Sequence, residues 1–340
     1  MTRAVEPYVV SNLIVAALAT AAVLAARAAW RTPLWRDALR DLGRRRPIAL
    51  AVVAAYVLVA GLDAVSWVGG GGVDQYRPRS VLDRCFPDDF QERSYSAPLA
   101  SVGFYDGQPL RWPGRHLLGT DIIGRDVLHQ TLKGARVALL IGGLTSLITI
   151  PLALAVGVPA GFLGGRVDDL VFFVMSTLAS MPGLLLLIAL IMVLGHGPIQ
   201  VCVALGVTGW VGFSRVARGE TLKLRELDYV QAARALGASS SRIVVRHILP
   251  NLMHLVVITF VLMFSGLVLS EAILSWLGIG LDGSWGQMID QARDELARDP
   301  PIVWNLAAAS VALFGLILAV NLVGDAVRDV LDPRTRRDRG

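Results

Sequence analysis

The sequence predicts an all-α polytopic membrane protein, and three observations carry that prediction. Of the 340 residues, 54% are hydrophobic and 17% charged, where soluble domains run at about 45–50% and about 25%. The mean hydropathy is +0.57. The apolar residues fall in runs of about twenty with almost no charge, the length a helix needs to cross a bilayer. Arginines gather at the ends of those runs, so the net charge of +5 marks membrane topology and not a nucleic-acid face.

Seven runs qualify as spans: 9–28, 48–68, 137–160, 170–194, 199–214, 251–271 and 302–324. The first is uncharged over 9–26 and has small residues at Ala26 and Ala28, so a cleaved signal peptide and a helix lying on the membrane are alternatives to a span. Cleavage would leave the arginines of 31–46 on the translocated side, which the charge rule opposes, and an extra N-terminal span with its N-terminus outside fits better. The stretch 170–214 carries only His196 as an ionisable group and is too long for one crossing; Gly195-His196-Gly197-Pro198 breaks it in two.

Arginine and lysine give the orientation. Arg27 to Arg46, the 215–250 segment and the tail from Arg328 are rich in them, and the spans alternate without conflict if all three are cytoplasmic. The 69–134 segment, with eight acids and eight bases, and the 272–301 segment, with five acids and two bases, then face the other side. The expected organisation is an N-terminal part over 1–47, a first core span over 48–68, an extracytoplasmic loop over 69–134, a membrane core over 135–327 and a basic cytoplasmic tail over 328–340. Within the 69–115 part of the loop, Asp88, Asp89 and Glu92 offer contacts to a partner on a surface that is otherwise simply solvated, and Asp106-Gly107 signals a hairpin.

Cys85 and Cys202 make no disulfide framework. Each of the two lysines, Lys133 and Lys223, lacks the glycine before it and the Ser or Thr after it that a phosphate-binding P-loop uses. No histidine pair has helical zinc-site spacing and no Gly-x-Ser-x-Gly elbow occurs. An intramembrane enzyme would have only His254, Asp63 and Glu271, all near span ends. A secondary transporter would need polar coupling groups at mid-membrane, and the spans are nearly bare of them. Pro151, Pro159 and the Met181-Pro182-Gly183 step lie inside spans, as pore-lining helix breaks or as packing kinks. Trp276 and Trp285 suit the aromatic belt at the membrane interface.

The most informative stretch is cytoplasmic. In 225–251, Asp228 is placed to cap a short helix, Tyr229, Ala232, Ala233 and Leu236 form one face of it, and Gly237 ends it. Ser239 or Ser240 caps a second short helix that leads to Pro250, where the next span begins. Two short helices at an angle, with small residues at 232 and 233, would let a partner backbone come close.

Gln231-Ala232-Ala233, Gly237 and Leu249-Pro250 stand at the spacing of the EAA loop of ABC-transporter permease subunits, and the segment resembles it. Gln231 replaces the family's usual Glu, which removes a charge and with it a salt bridge to the ATPase, and His247 replaces Ile. HLLGTDIIGRDVL at 116–128, RHILPN at 246–251, LSWLGIGLDGSWGQMI at 274–289 and NLVGDAVRDVLDPR at 321–334 resemble, in consistent order, the second permease subunit of dipeptide, oligopeptide and nickel importers. His129 and Gln130 depart from that branch's usual Ser-Arg, and the 69–115 loop is long for it.

The resemblance implies a type I importer fold of six core spans, 48–68 through 302–324, beside the extra one. It implies a second permease subunit, two ABC ATPase domains that bind ATP and Mg, and an extracytoplasmic solute-binding protein, all in a bacterial inner membrane. This chain would itself be non-catalytic and hold no cofactor or metal. Its substrates would be peptides, with nickel or another small solute as the alternative. The coupling residues implied are Tyr229, Gln231, Ala232, Ala233, Arg234, Gly237, Arg242, Leu249 and Pro250, with Arg234 and Arg242 facing ATPase acids or solvent. Gly119, Thr120, Asp121, Gly124, Arg125 and Asp126 would structure the outer approach to the second core span, or form only a local turn network.

Overall fold

The computed structural model describes residues 43–67, 78–87 and 90–331, together with Asn12, Thr20 and Arg27. Most of the 9–28 run, the glycine-rich start of the loop, Asp88, Asp89 and the tail beyond 331 lie outside the described residues. Apolar helices dominate: α1 (Pro47–Ala64), α2 (Val81–Arg84), α3 (Val127–Leu163), α4 (Gly165–Ser180), α5 (Gly183–Leu194), α6 (Pro198–Leu224), α7 (Asp228–Ala235), α8 (Ser240–Trp276), α9 (Trp285–Leu296) and α10 (Trp304–Leu331). A two-residue antiparallel pair joins β1 (Ser66–Trp67) to β2 (Arg79–Ser80).

Five helices, α1, α3, α6, α8 and α10, are each long and apolar enough to cross a membrane. Between them lies the apolar pair α4 and α5, a broken span or a re-entrant loop in place of the straight helix expected over 170–194. It breaks at Met181-Pro182 and bends by 92°. Pro182 cannot supply the N–H that would continue α4, and proline also pushes Met181 into the extended conformation seen there. Pro151 and Pro159 interrupt nothing, since both lie inside the continuous α3. Helix α1 stops at Ala64, short of the end of the 48–68 run, while other spans outrun their apolar runs. α3 begins ten residues before residue 137 and α8 eleven before residue 251, because polar residues can extend a helix beyond the hydrocarbon once its core is fixed there.

The chain forms two compact units, Met1–Leu139 with Glu271–Gly340, and Leu140–Ser270. In the first, the Tyr56 hydroxyl on α1 donates to the Ala312 carbonyl on α10 at 2.8 Å, and its ring meets Trp285 edge-on. Trp285 is 2% exposed and donates its indole N–H to the Thr131 carbonyl at 2.8 Å, so it is a core residue and not a belt residue; Trp276 remains exposed. Helix α9 is capped by Ser284, which accepts from the Gln287 N–H. The Asn12 side chain bonds both the N–H and the carbonyl of Ser66, just beyond the end of α1. That puts Asn12 at the end of α1 where the 69–134 loop begins.

In the second unit, α3 lies against α6 through Gly157 and Gly161. A Cβ on either would fall 2.4 Å from the Ser214 carbonyl oxygen or 2.6 Å from that of Arg218. Glycines four apart allow this close approach in apolar surroundings, where van der Waals packing and not water exclusion holds helices together. Arg218 grips both carboxylate oxygens of Asp168 in the first turn of α4, a bidentate geometry suited to guanidinium.

Candidate functional site

Helix α7 is positioned by its own ends. Leu227, not Asp228, is its N-cap; Asp228 is the first helical residue, where its charge opposes the positive end of the helix dipole. At the other end Gly237 has φ +80°. The N–H of Gly237 bonds the Arg234 carbonyl and that of Ala238 the Ala233 carbonyl, each within 3.1 Å. This paired closure is a Schellman cap, and it needs the left-handed residue that glycine supplies.

The inner face of α7 is fixed to the membrane helices. Val230 is fully buried with Val158, Phe162, Ala217, Ile243, Ile248 and Leu252, and Ala233 packs against that cluster. Gln231 donates its amide N–H to the Arg225 carbonyl at 3.0 Å, and the Arg225 guanidinium donates to the Gly161 carbonyl at 2.9 Å near the end of α3. The Tyr229 hydroxyl accepts from the Asn251 amide at 3.1 Å, which ties α7 to α8. Arg234 lies over the Phe162 ring, 5.4 Å from its centre. Arg242 is exposed on the first turn of α8.

The outer face is apolar and uncovered. Ala232 and Ala235 are exposed, as are Tyr229, Leu227 and, on α8, Val245; Leu236 is 88% exposed. The expected second short helix begins at Ser240 with Ser239 as its N-cap, but it does not end before the span. From Ser240 the chain runs without interruption through Pro250 to Trp276, widened to a π-turn at Val244–Ile248. Proline at 250 has no N–H, and its ring crowds the carbonyl four residues back. In the widened turn the Leu249 N–H reaches the Val244 carbonyl, and the helix continues without a break. Leu249, half-buried, also packs against the cluster under α7.

The 119–126 motif forms a buried polar lattice ahead of α3. Thr120 is fully buried; its hydroxyl accepts from the Ser96 N–H at 2.7 Å and donates to the Ser94 carbonyl at 2.8 Å, while its own carbonyl accepts from the Trp304 indole at 3.0 Å. Asp121, also buried, accepts from the N–H groups of Ile123 and Arg125, from the Arg125 guanidinium and from the Gln130 amide. Gly119 and Gly124 have positive φ, and a Cβ at Gly124 would sit 2.0 Å from the Glu92 carbonyl oxygen. Asp126 caps α3 by accepting from the His129 N–H, and its other oxygen meets His116 Nδ1 at 2.9 Å.

Several members of this lattice carry no local signal in the sequence. Glu92, which the sequence suggests as a surface contact, is instead buried: it accepts from the N–H groups of Arg111 and Trp112 and lies 3.4 Å from His116. Glu295 is 1% exposed and bonds the Asn305 amide. Burial pushes the Glu295 carboxyl above its ordinary range; bonds from Asn305 and Tyr95 oppose the shift and the Asp121 charge adds to it. Burial, with Glu295 beside it, drives Tyr95 up to about 12. For Asp83, burial works upward but bonds from His129, Lys133 and the Ser80 N–H outweigh it, and the carboxyl is held well below the usual range. The 102–109 hairpin forms, with Gly103 N–H bonded to the Gln108 carbonyl, and it borders an open basin of about 900 Å³ lined by Gln91, Arg93, Tyr95, Asp106 and Arg111. Among the described residues, no three His, Cys, Asp or Glu side chains are grouped to hold a metal ion.

Residues 153–337 match the family model described as binding-protein-dependent transport system inner membrane component. The oligopeptide transport system permease protein OppC of Bacillus subtilis is 35% identical over 225 residues, 65% of this chain and 73% of that one. The dipeptide permease protein DppC of the same organism is 36% identical over 229 residues, 65% and 70% of the two chains. The glutathione permease protein GsiD of Pectobacterium atrosepticum is 34% identical over 247 residues, 71% and 81%. Among solved structures, a chain of the inward-facing MetNI methionine ABC transporter matches 60% of this chain and 97% of its own length, with a TM-score of 0.46 and 22% identity.

Proposed function

Because the chain belongs to the family of binding-protein-dependent transport system inner membrane components, we propose that it forms half of the pathway by which an ATP-driven importer admits di- or oligopeptides. It is a multi-pass permease subunit of the inner membrane, of a kind that is not itself catalytic. A second permease subunit completes the pathway, two ABC ATPase domains hold the ATP and Mg, and an extracytoplasmic binding protein delivers the solute. The substrate class is supported by the relatives, which are named for oligopeptide, dipeptide and glutathione transport.

The observation that carries the mechanism is the contrast between the two faces of α7. Its outer face presents Ala232, Ala235 and Leu236 to solvent, an apolar patch of the kind that marks a protein interface. Its inner face is bonded to α3 and α8 through Arg225 and Asn251. A push on the outer face therefore passes into two membrane-crossing helices through hydrogen bonds and a packed core, as switching between two packed states requires. Gly237 turns the chain from α7 into α8, and the absence of a break at Pro250 makes α8 a continuous lever from cytoplasm to membrane. On the other side, the basin beside the 102–109 hairpin is the docking place offered to the binding protein.

Uptake of a labelled tripeptide into proteoliposomes holding the purified complex tests this function. ATP inside the vesicles and binding protein outside should both be required. Uptake by this chain alone on an ion gradient would make it a secondary transporter instead.

A further inference from the structure

We propose that the cleft between α1 and α10 at their cytoplasmic ends is a site for an anionic phospholipid, one acyl chain lying between the helices and the phosphate headgroup held by Arg45 and Arg46. The cavity measures about 390 Å³. Its walls are Ile48 and Val52 from α1 and Leu318 and Leu322 from α10. Gly315 and Ala319, on either side of Leu318, keep the floor low, so the two helices, joined further out by the Tyr56–Ala312 bond, leave a slot between them here.

The chemistry of the slot changes abruptly along its length. Apolar side chains line it up to Pro47, and there Arg45 and Arg46, both exposed, stand at its mouth with Arg44 beside them. Arg46 is also the N-cap of α1 and provides no side-chain cap. Asp325 and Asp329 follow Leu322 on the same face of α10, at successive turns toward the cytoplasm, and Arg44, Arg45 and Arg46 outnumber them. Apolar walls exclude a free anion as the main occupant, and a positive mouth disfavours a zwitterionic lipid relative to an anionic one. Basic pockets between membrane helices on the cytoplasmic side recognise anionic headgroups in this way.

The test uses the full permease–ATPase complex in phosphatidylcholine nanodiscs, doped with phosphatidylglycerol that carries a photoactivatable diazirine midway along one chain. After illumination, mass spectrometry should find adducts on the peptides holding Val52 and Leu318–Leu322. Arg45→Gln with Arg46→Gln should lower their yield roughly tenfold, and Ala319→Leu should abolish them by filling the slot, with the complex still intact by size exclusion. The other arginines of 27–44 keep the topology of the double variant. Adducts elsewhere only, equal yield from a phosphatidylcholine probe, displacement by inorganic phosphate, or crosslinks that place the chain's own 9–28 segment in the slot would each overturn the proposal. The readout is labelling and not transport, so a failed import assay leaves it unaffected.

Discussion

Gln231 donates its side-chain amide to the backbone carbonyl of Arg225 at 3.0 Å. The same Arg225 carries its guanidinium to the Gly161 carbonyl, so two hydrogen bonds in series through Arg225 connect α7 to the end of α3. The family resemblance places a glutamate at position 231, and an ionised glutamate cannot donate. The departure from the pattern therefore has a structural role inside this chain. Where the sequence suggests a lost contact to the ATPase, the structure shows an added contact within the permease.

Gln231→Glu should uncouple the transporter in part. It removes a bond worth about 1 kcal/mol and sets carboxylate oxygens against a carbonyl oxygen. Tripeptide imported per ATP hydrolysed should fall several-fold while the complex still assembles. The two rates are measured on the same proteoliposomes; an unchanged ratio would mean that the Gln231–Arg225 bond carries no force.

Two glycines should respond differently to alanine. At Gly237 nothing lies within 4 Å of a new Cβ, so only the positive φ is penalised, at about 1–2 kcal/mol. Gly237→Ala should therefore assemble with a modestly lower Tm, and Gly237→Asn should recover part of the loss. At Gly124 the new Cβ would meet the Glu92 carbonyl oxygen at 2.0 Å as well, which forces the 90–92 segment away from the lattice. Gly124→Ala should yield little assembled complex. Tm by thermal melt and yield by size exclusion separate the two cases.

The extracytoplasmic lattice should show two opposite pH dependences. Glu295 is shifted above its ordinary value of 4.5, so the unfolded chain releases this proton first. Stability falls as pH rises from about 4.5 through the shifted value and is level beyond it. Glu295→Gln should raise Tm relative to the unmodified chain near about pH 8, and the gain should vanish toward about pH 4. Asp83 is shifted below its ordinary value of 3.8, so its contribution is complete above that value and is lost as pH falls beneath it. Asp83→Asn should lower Tm at neutral pH and lose that difference in acid. Melts across the range check both signs.

The parts of the molecule that depend on local chemistry are legible in the sequence. Hydropathy places the five straight spans, Gly195–Pro198 marks a real turn, and Gly237 ends α7 where the spacing says it should. The Met181-Pro182-Gly183 step signals a break but not its angle, because the bend is set by what the two halves pack against. The π-turn before Pro250 is invisible, since a proline inside a helix is accommodated or not according to its neighbours. Periodicity alone assigns Ala233 and Leu236 to one stripe of α7, but the structure divides them, Ala233 half-buried on the inner face and Leu236 exposed on the outer one. Least legible are the bonds between distant residues: Arg225 to Gly161, Trp304 to Thr120, Asn12 to Ser66. Arg225 looks like one more cytoplasmic charge, and only the fold reveals that it closes a helix end.

The account rests on α7 being the place where the ATPase pushes. Cysteine replacing Leu236, in a chain whose Cys85 and Cys202 are changed to serine, tests this most directly when a short bifunctional crosslinker is applied to membranes containing the whole complex. A crosslink to the ATPase subunit, with a yield that changes between the ATP-bound and nucleotide-free states, is the predicted result. Crosslinks only to lipid, or to another copy of this chain, would contradict the account.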